Sequence, residues 1–92
     1  MKAYKHLVKT ALKDGNTISV WDGEEWQVKR STSYKAIIDA IESVEEAQIR
    51  IRTEDDGLVV GWALIIPFGL EDDETVADAS YNEYMNNILD NV

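Results

Sequence analysis

Residues 58–66 read LVVGWALII and are followed by Pro67. Eight of these nine residues are apolar, the ninth is Gly61, and no charge falls between Asp56 and Glu71. Nine residues is strand length, and β-branched Val and Ile with a Trp suit a pleated sheet better than a short helix. Pro67 has no N–H to give to a ladder, so the strand is expected to end before it. Alternation divides the stretch into a bulky side (Leu58, Val60, Trp62, Leu64, Ile66) and a slimmer one (Val59, Gly61, Ala63, Ile65). A bulky side chain is worth roughly 1.5–3 kcal/mol when fully buried. The expectation is a central strand whose bulky side, Trp62 included, faces the core.

Upstream, Ala47, Ile49 and Ile51 alternate with Gln48, Arg50 and Arg52, a strand with one wet face, and Glu54, Asp55, Asp56 and Gly57 turn it into the apolar stretch. Before it, Tyr34, Ile37, Ile38, Ile41 and Val44 form a helical stripe behind the capping hydroxyls of Ser31, Thr32 and Ser33. Residues 17–21 and 26–30 flank Asp22-Gly23-Glu24-Glu25 as a β-hairpin, with Ile18, Val20, Trp26 and Val28 expected on one face. Tyr4, Leu7, Val8, Ala11 and Leu12 make the first helix, stopped by Gly15. Downstream, Ser80 and Glu83 fit a capping box, and Tyr81, Tyr84, Met85, Ile88, Leu89 and Val92 follow at helical spacing. The reading is one α+β domain over residues 1–92, ordered αββαββα. It is a two-layer sandwich: a four-stranded, mainly antiparallel sheet with three helices on one face. The opposite face would then collect Gln27, Lys29, Gln48, Arg50 and Arg52.

The 92 residues carry a net charge of −9 and no cysteine, which excludes disulfides and thiolate metal sites. All nine Lys and Arg fall in residues 1–52 beside eight acids, whereas residues 53–92 hold ten acids and no base. An acidic half of this kind attracts basic surfaces and repels phosphates, which argues against direct nucleic-acid binding by that half. No stretch approaches the ~20 apolar residues of a membrane span, and the first residues lack a signal-peptide pattern. A cytoplasmic location is therefore expected.

There is no phosphate-binding glycine loop, nucleophile elbow or histidine pair at metal spacing, so no cofactor, metal or catalytic set is implied. His6 reads as a helix-surface histidine among lysines. Two surfaces remain as binding candidates. One is acidic: Glu71, Asp72, Asp73 and Glu74, joined by Glu54, Asp55, Asp56 and Asp78. The 54–56 turn and the 71–74 run leave opposite ends of a strand about 30 Å long at ~3.3 Å per residue, which separates them. The other is the basic sheet face, Lys29, Arg50 and Arg52, at cross-strand spacing that suits phosphates or an acidic protein. Either set equally serves solubility. Trp21, beside the acids of the hairpin tip, either anchors a partner or packs on the neighbouring strand.

At GWALIIPFGLEDDETVAD, residues 61–78, with TISVWDGEEWQVKRS at 17–31, the chain resembles small proteins encoded by bacteriophages and prophages. In size, acidity and want of a catalytic set it is similar to phage-encoded anti-CRISPR proteins directed against type I CRISPR surveillance complexes. That resemblance implies a non-enzymatic, stoichiometric inhibitor in the host cytoplasm. It would bind a CRISPR–guide RNA complex and block target DNA binding or nuclease recruitment. The implied partner is a basic surface of a host protein or ribonucleoprotein, with nucleic acid touched only as guide RNA within the complex. The alternative is another acidic phage accessory protein that inhibits a host nuclease, restriction or transcription factor.

Overall fold

The computed structural model describes residues 2–69 and 75–91. Helix α1 (Ala3–Lys13) buries Tyr4, Leu7, Val8 and Ala11 on one stripe. It ends at Gly15, whose φ of +85° is open to glycine without steric cost, and whose N–H donates to the Leu12 carbonyl at 3.0 Å. Strands β1 (Asn16–Trp21) and β2 (Trp26–Ser31) form the expected hairpin. In α2 (Tyr34–Glu42) the Ser33 hydroxyl accepts from the Ala36 N–H at 3.3 Å, and Ile37, Ile38 and Ile41 are buried. Strands β3 (Ala47–Thr53), β4 (Val59–Ile65) and β5 (Val76–Ala79) follow, then α3 (Glu83–Leu89).

The sheet is antiparallel throughout, in the order β2-β1-β3-β4-β5. It has five strands where the sequence suggests four, and the element order is αββαβββα. The additional strand, β5, reads VADA, and Ala and Asp are poor strand formers. It exists because β4 offers a free ladder edge: Ala63, Leu64 and Ile65 pair with Ala79, Asp78 and Val76. The middle strand is accordingly β3 and not the apolar stretch.

The facing of β4 is also reversed from expectation. Gly61, Ala63 and Ile65 are buried, while Trp62 keeps 39% of its surface and Leu58 62%. Both sides of this strand are apolar, so hydrophobicity alone does not choose between them. Space does. Met85 of α3 lies fully buried directly over Gly61, and a Cβ placed on Gly61 would run into its Sδ and Cγ atoms. A helix can approach a sheet this closely only where the strand presents little side chain.

Helix α3 is shorter than its apolar spacing suggests. Asn82, not Ser80, caps it by accepting from the Met85 N–H at 3.3 Å. The Ser80 hydroxyl instead accepts from the Trp62 N–H at 3.1 Å, and Tyr81 is almost fully exposed. Buried residues from all three helices join Ile18, Val20, Ala47, Ile49, Ile51, Ala63 and Ile65 in one core. At its edge the Tyr4 hydroxyl donates to the half-buried Glu42 carboxylate. Burial first, then that carboxylate, pushes the Tyr4 pKa well above the usual range. The Tyr4 N–H reaches Thr75 Oγ1 at 3.3 Å, tying α1 to the start of β5. Among the described residues no helix is long and apolar enough to cross a membrane.

This packing predicts unequal costs on β4. Gly61→Ala should destabilise by about 1–3 kcal/mol through overpacking, and adding Met85→Ala should cost less than the sum of the two single changes. Trp62→Ala should cost only about 1 kcal/mol, well below the ~3–5 of a core aromatic. Urea midpoints of the four proteins check both statements.

Candidate functional site

The register of β3 against its neighbours arranges the outer sheet face, away from the core, in transverse rows. Ser19, Arg50 and Trp62 are successive cross-strand partners on β1, β3 and β4. Thr17, Arg52 and Val59 form the next row, and Trp21, Gln48, Leu64 and Asp78 a third that continues onto β5. A slip between Ile51 and Arg52 brings Val59 rather than Val60 opposite Arg52. Val60 packs partly on the core instead.

Two irregularities in β2 complete this face. Val20 pairs with Val28 and Trp21 with Trp26, so Gln27 is an extra residue on its strand, a bulge that re-aims the next side chain. Val28 thereby packs on the core, while Trp26 joins Trp21 on the outer face, their rings edge to face at 5.1 Å. Trp26 was expected on the core side with Val28, and the bulge accounts for the difference. The Arg50 guanidinium lies over the Trp26 ring, 5.3 Å from its centre. The second irregularity centres on Arg30, whose φ is +46°. Left-handed backbone is costly for a residue with a Cβ, and it is held here by an N–H donated to the Ser19 hydroxyl at 2.9 Å. The Arg30 guanidinium then reaches Gly57 in the β3–β4 turn, where the missing Cβ leaves room for it.

The result is a groove of about 450 Å³ lined by Ser19, Trp26, Lys29, Arg30, Arg50 and Arg52. Among the described residues it is lined by four of the nine basic residues and no carboxylate. Among the described residues the ion pairs are Lys5–Glu42 at 3.8 Å and Lys35–Asp39 at 2.8 Å, so none of the four groove cations is paired with an acid there. Like charges held together without a counter-charge make an anion-binding surface. All three tryptophans and all three arginines of the chain lie on this face.

The structure brings together Lys29, Arg50, Arg52 and Trp21 from the sequence-predicted set. Glu71, Asp72, Asp73 and Glu74 lie outside the described residues. Glu54, Asp55 and Asp56 are exposed at the β3–β4 turn. Arg30, Trp26 and Trp62 were missed. The concentration of Trp and Arg in the hairpin and β3 was a usable signal, but their facing depends on bulges that alternation does not reveal. The hairpin tip is fixed by Asp22, whose Oδ1 accepts from the N–H groups of Glu25 at 2.8 Å and Glu24 at 2.7 Å, while Oδ2 accepts from Gln27 at 2.6 Å. The Glu25 N–H, then that of Glu24, then Gln27 hold the Asp22 carboxyl below its usual range.

His6 lies elsewhere, in a cleft between α1 and α3 with Thr10, Asp14 and Tyr84. The Tyr84 hydroxyl donates to Asp14 at 2.8 Å and accepts from Asn16 at 2.8 Å. Burial, then Asp14, pushes the Tyr84 pKa well above the usual range, so it is a neutral structural phenol. Among the described residues no three His, Cys, Asp or Glu side chains are placed to hold a metal ion. Comparison with protein families, curated proteins and solved structures finds no match.

Two outcomes follow from this geometry. Arg30→Gly should raise the unfolding free energy by about 1 kcal/mol, because glycine accepts the left-handed backbone without strain; urea unfolding measures it. The folded-state pKa of Asp22 lies below its unfolded value of 3.8, so its stabilisation is complete above that pH and is lost as pH falls through the folded-state value. Asp22→Asn should therefore lose less stability than the wild type on acidification through that range, measured as urea midpoint against pH.

Proposed function

We propose that this chain is a non-enzymatic binding protein that inhibits a host defence complex by docking its outer sheet face on it. Buried residues of all three helices share one core with the inward side chains of the strands, which leaves the outward row of side chains for a partner. The observation that carries the reading is the gathering of every Trp and every Arg on that exposed face. Trp and Arg dominate the energetics of protein interfaces, and they are poor choices for a face that needs only to be soluble. The resemblance to anti-CRISPR proteins supports a type I CRISPR–guide RNA complex in the host cytoplasm as the target, held so that target DNA binding is blocked. The acidic half fits the same reading. Ten acids without a base steer the protein towards the Lys- and Arg-rich channels that hold nucleic acid, and charge complementarity mainly speeds encounter.

Affinity capture from host lysate, identified by mass spectrometry, tests this. Wild-type protein should retain a CRISPR surveillance complex, and Trp62→Ala/Arg50→Ala should lose it at least tenfold while remaining folded. In surface plasmon resonance, neutralising Glu71, Asp72, Asp73 and Glu74 to Gln and Asn should slow association more than it speeds dissociation, with the difference shrinking at high salt. Capture of a restriction, repair or transcription factor would redirect the proposal to that target. An outer-face variant that captures its partner as well as the wild type would overturn the docking face.

A further inference from the structure

Resting on the reading of the outer face as a docking surface, we infer that its groove binds the backbone of a single-stranded nucleic acid, with Trp62 as a platform for one base. Lys29, Arg30, Arg50 and Arg52 line the groove with Ser19 and, among the described residues, meet no carboxylate there. An anion with several charges in a row is what four convergent cations, unpaired among the described residues, accept best, and the planar guanidinium grips phosphate oxygens two at a time. The stacking on Trp26 fixes the direction of the Arg50 guanidinium, which makes Trp26 a positioning residue. Trp62 has a different place. It is the cross-strand neighbour of Arg50, with 39% of its surface open. Its exposed surface therefore adjoins the groove that Arg50 lines.

Cations interleaved with exposed aromatics distinguish a single strand from the other polyanions. A duplex keeps its bases stacked within itself and would leave Trp62 unused, whereas an unpaired strand lays bases on aromatic side chains. An acidic peptide would satisfy the arginines but has no flat ring system to place on the indole. From β2 to β4 the face spans three strand spacings, ~14 Å, wide enough for a short run of backbone phosphates. The backbone of β2 is strained at Arg30 and bulged at Gln27, and these departures aim Arg30 and Trp26 into the groove. Strain of this kind persists where a surface is shaped for a ligand. The acidic half does not forbid the contact, because among the described residues none of its carboxylates lines the groove, and salt weakens the repulsion from exposed ones.

The test is fluorescence anisotropy of a labelled twelve-residue oligouridine RNA with the full chain at several salt concentrations. Binding should weaken with salt at a log–log slope of about −2.8 for four engaged cations, at ~0.7 per phosphate contact on a single strand. Arg50→Ala/Arg52→Ala should bind at least tenfold more weakly with a slope shallower by about 1.4. Arg30→Gly should fold at least as stably as the wild type and still bind less tightly. Trp62→Ala should weaken binding with the slope unchanged, and Trp62→Phe should restore most of it. Lys13→Ala, far along α1, should bind like the wild type. No binding at low salt, arginine variants that bind normally, or equal competition by polyglutamate of the same length would each overturn the inference. Equal affinity for duplex RNA together with an inert Trp62→Ala would overturn the single-strand assignment. A wild-type protein that captures its host partner yet binds no RNA would sink this inference alone; one that captures nothing would sink the docking-face reading as well.

Discussion

The contact on which this molecule turns is the seating of Met85 on Gly61. Burying an unbranched thioether against a strand without a side chain brings α3 down onto β4, and it fixes which side of that strand can face inward. Ala63 and Ile65 follow Gly61 into the core by alternation, and Trp62 is turned out by the same rule. The inner side loses bulk and gains a closely packed helix. What appears as an unfavourable exposure of Trp62 is thus the other half of a packing solution. Cores fill volume as well as collect hydrophobic surface, and here volume decides.

The outer face follows from that choice. Once Trp62 faces outward it stands beside Arg50, and the antiparallel register extends the row to Ser19. The two irregularities of β2 then bring Trp26 and Arg30 to the same place from the far edge. Bulges also blunt the edge strand against unwanted pairing, so one departure from regular alternation serves both solubility and the site. The charge segregation of the chain acquires a spatial meaning too. The cations of β2 and β3 meet across β1 in one groove, while the acids of the β3–β4 turn flank it without entering.

Much of the fold was legible before any coordinates. The stripe of α1, the Gly15 stop, the Ser33 cap, the Asp22-Gly23 turn and the alternation of β3 each state one local preference, and the structure uses them as written; of the α2 stripe Ile37, Ile38 and Ile41 are buried, while Tyr34 is exposed and Val44 lies past the helix end. The failures share a cause. The facing of β4, the cap of α3 and the side taken by Trp26 are settled by partners distant in sequence: Met85 for Gly61, the Trp62 N–H for Ser80, Val20 and Trp21 for the β2 bulge. β5 has almost no intrinsic signal and forms because an edge is open to it. The site was half visible for the same reason. Lys29, Arg50 and Arg52 share the outer face as regular alternation predicts, whereas Arg30 and Trp62 reach it through a strained turn of backbone and a decision made by a helix.

The account stands on which side of β4 meets the helices. Nuclear Overhauser contacts of the Met85 methyl group, in a methyl-labelled sample, read this directly. The structure predicts strong cross-peaks from that methyl to the Gly61 α protons, and from the Trp62 indole to the Arg50 side chain, with none between Met85 and the Trp62 ring. Cross-peaks from the Met85 methyl to the Trp62 indole would place Trp62 in the core, and the outer face described here would no longer exist.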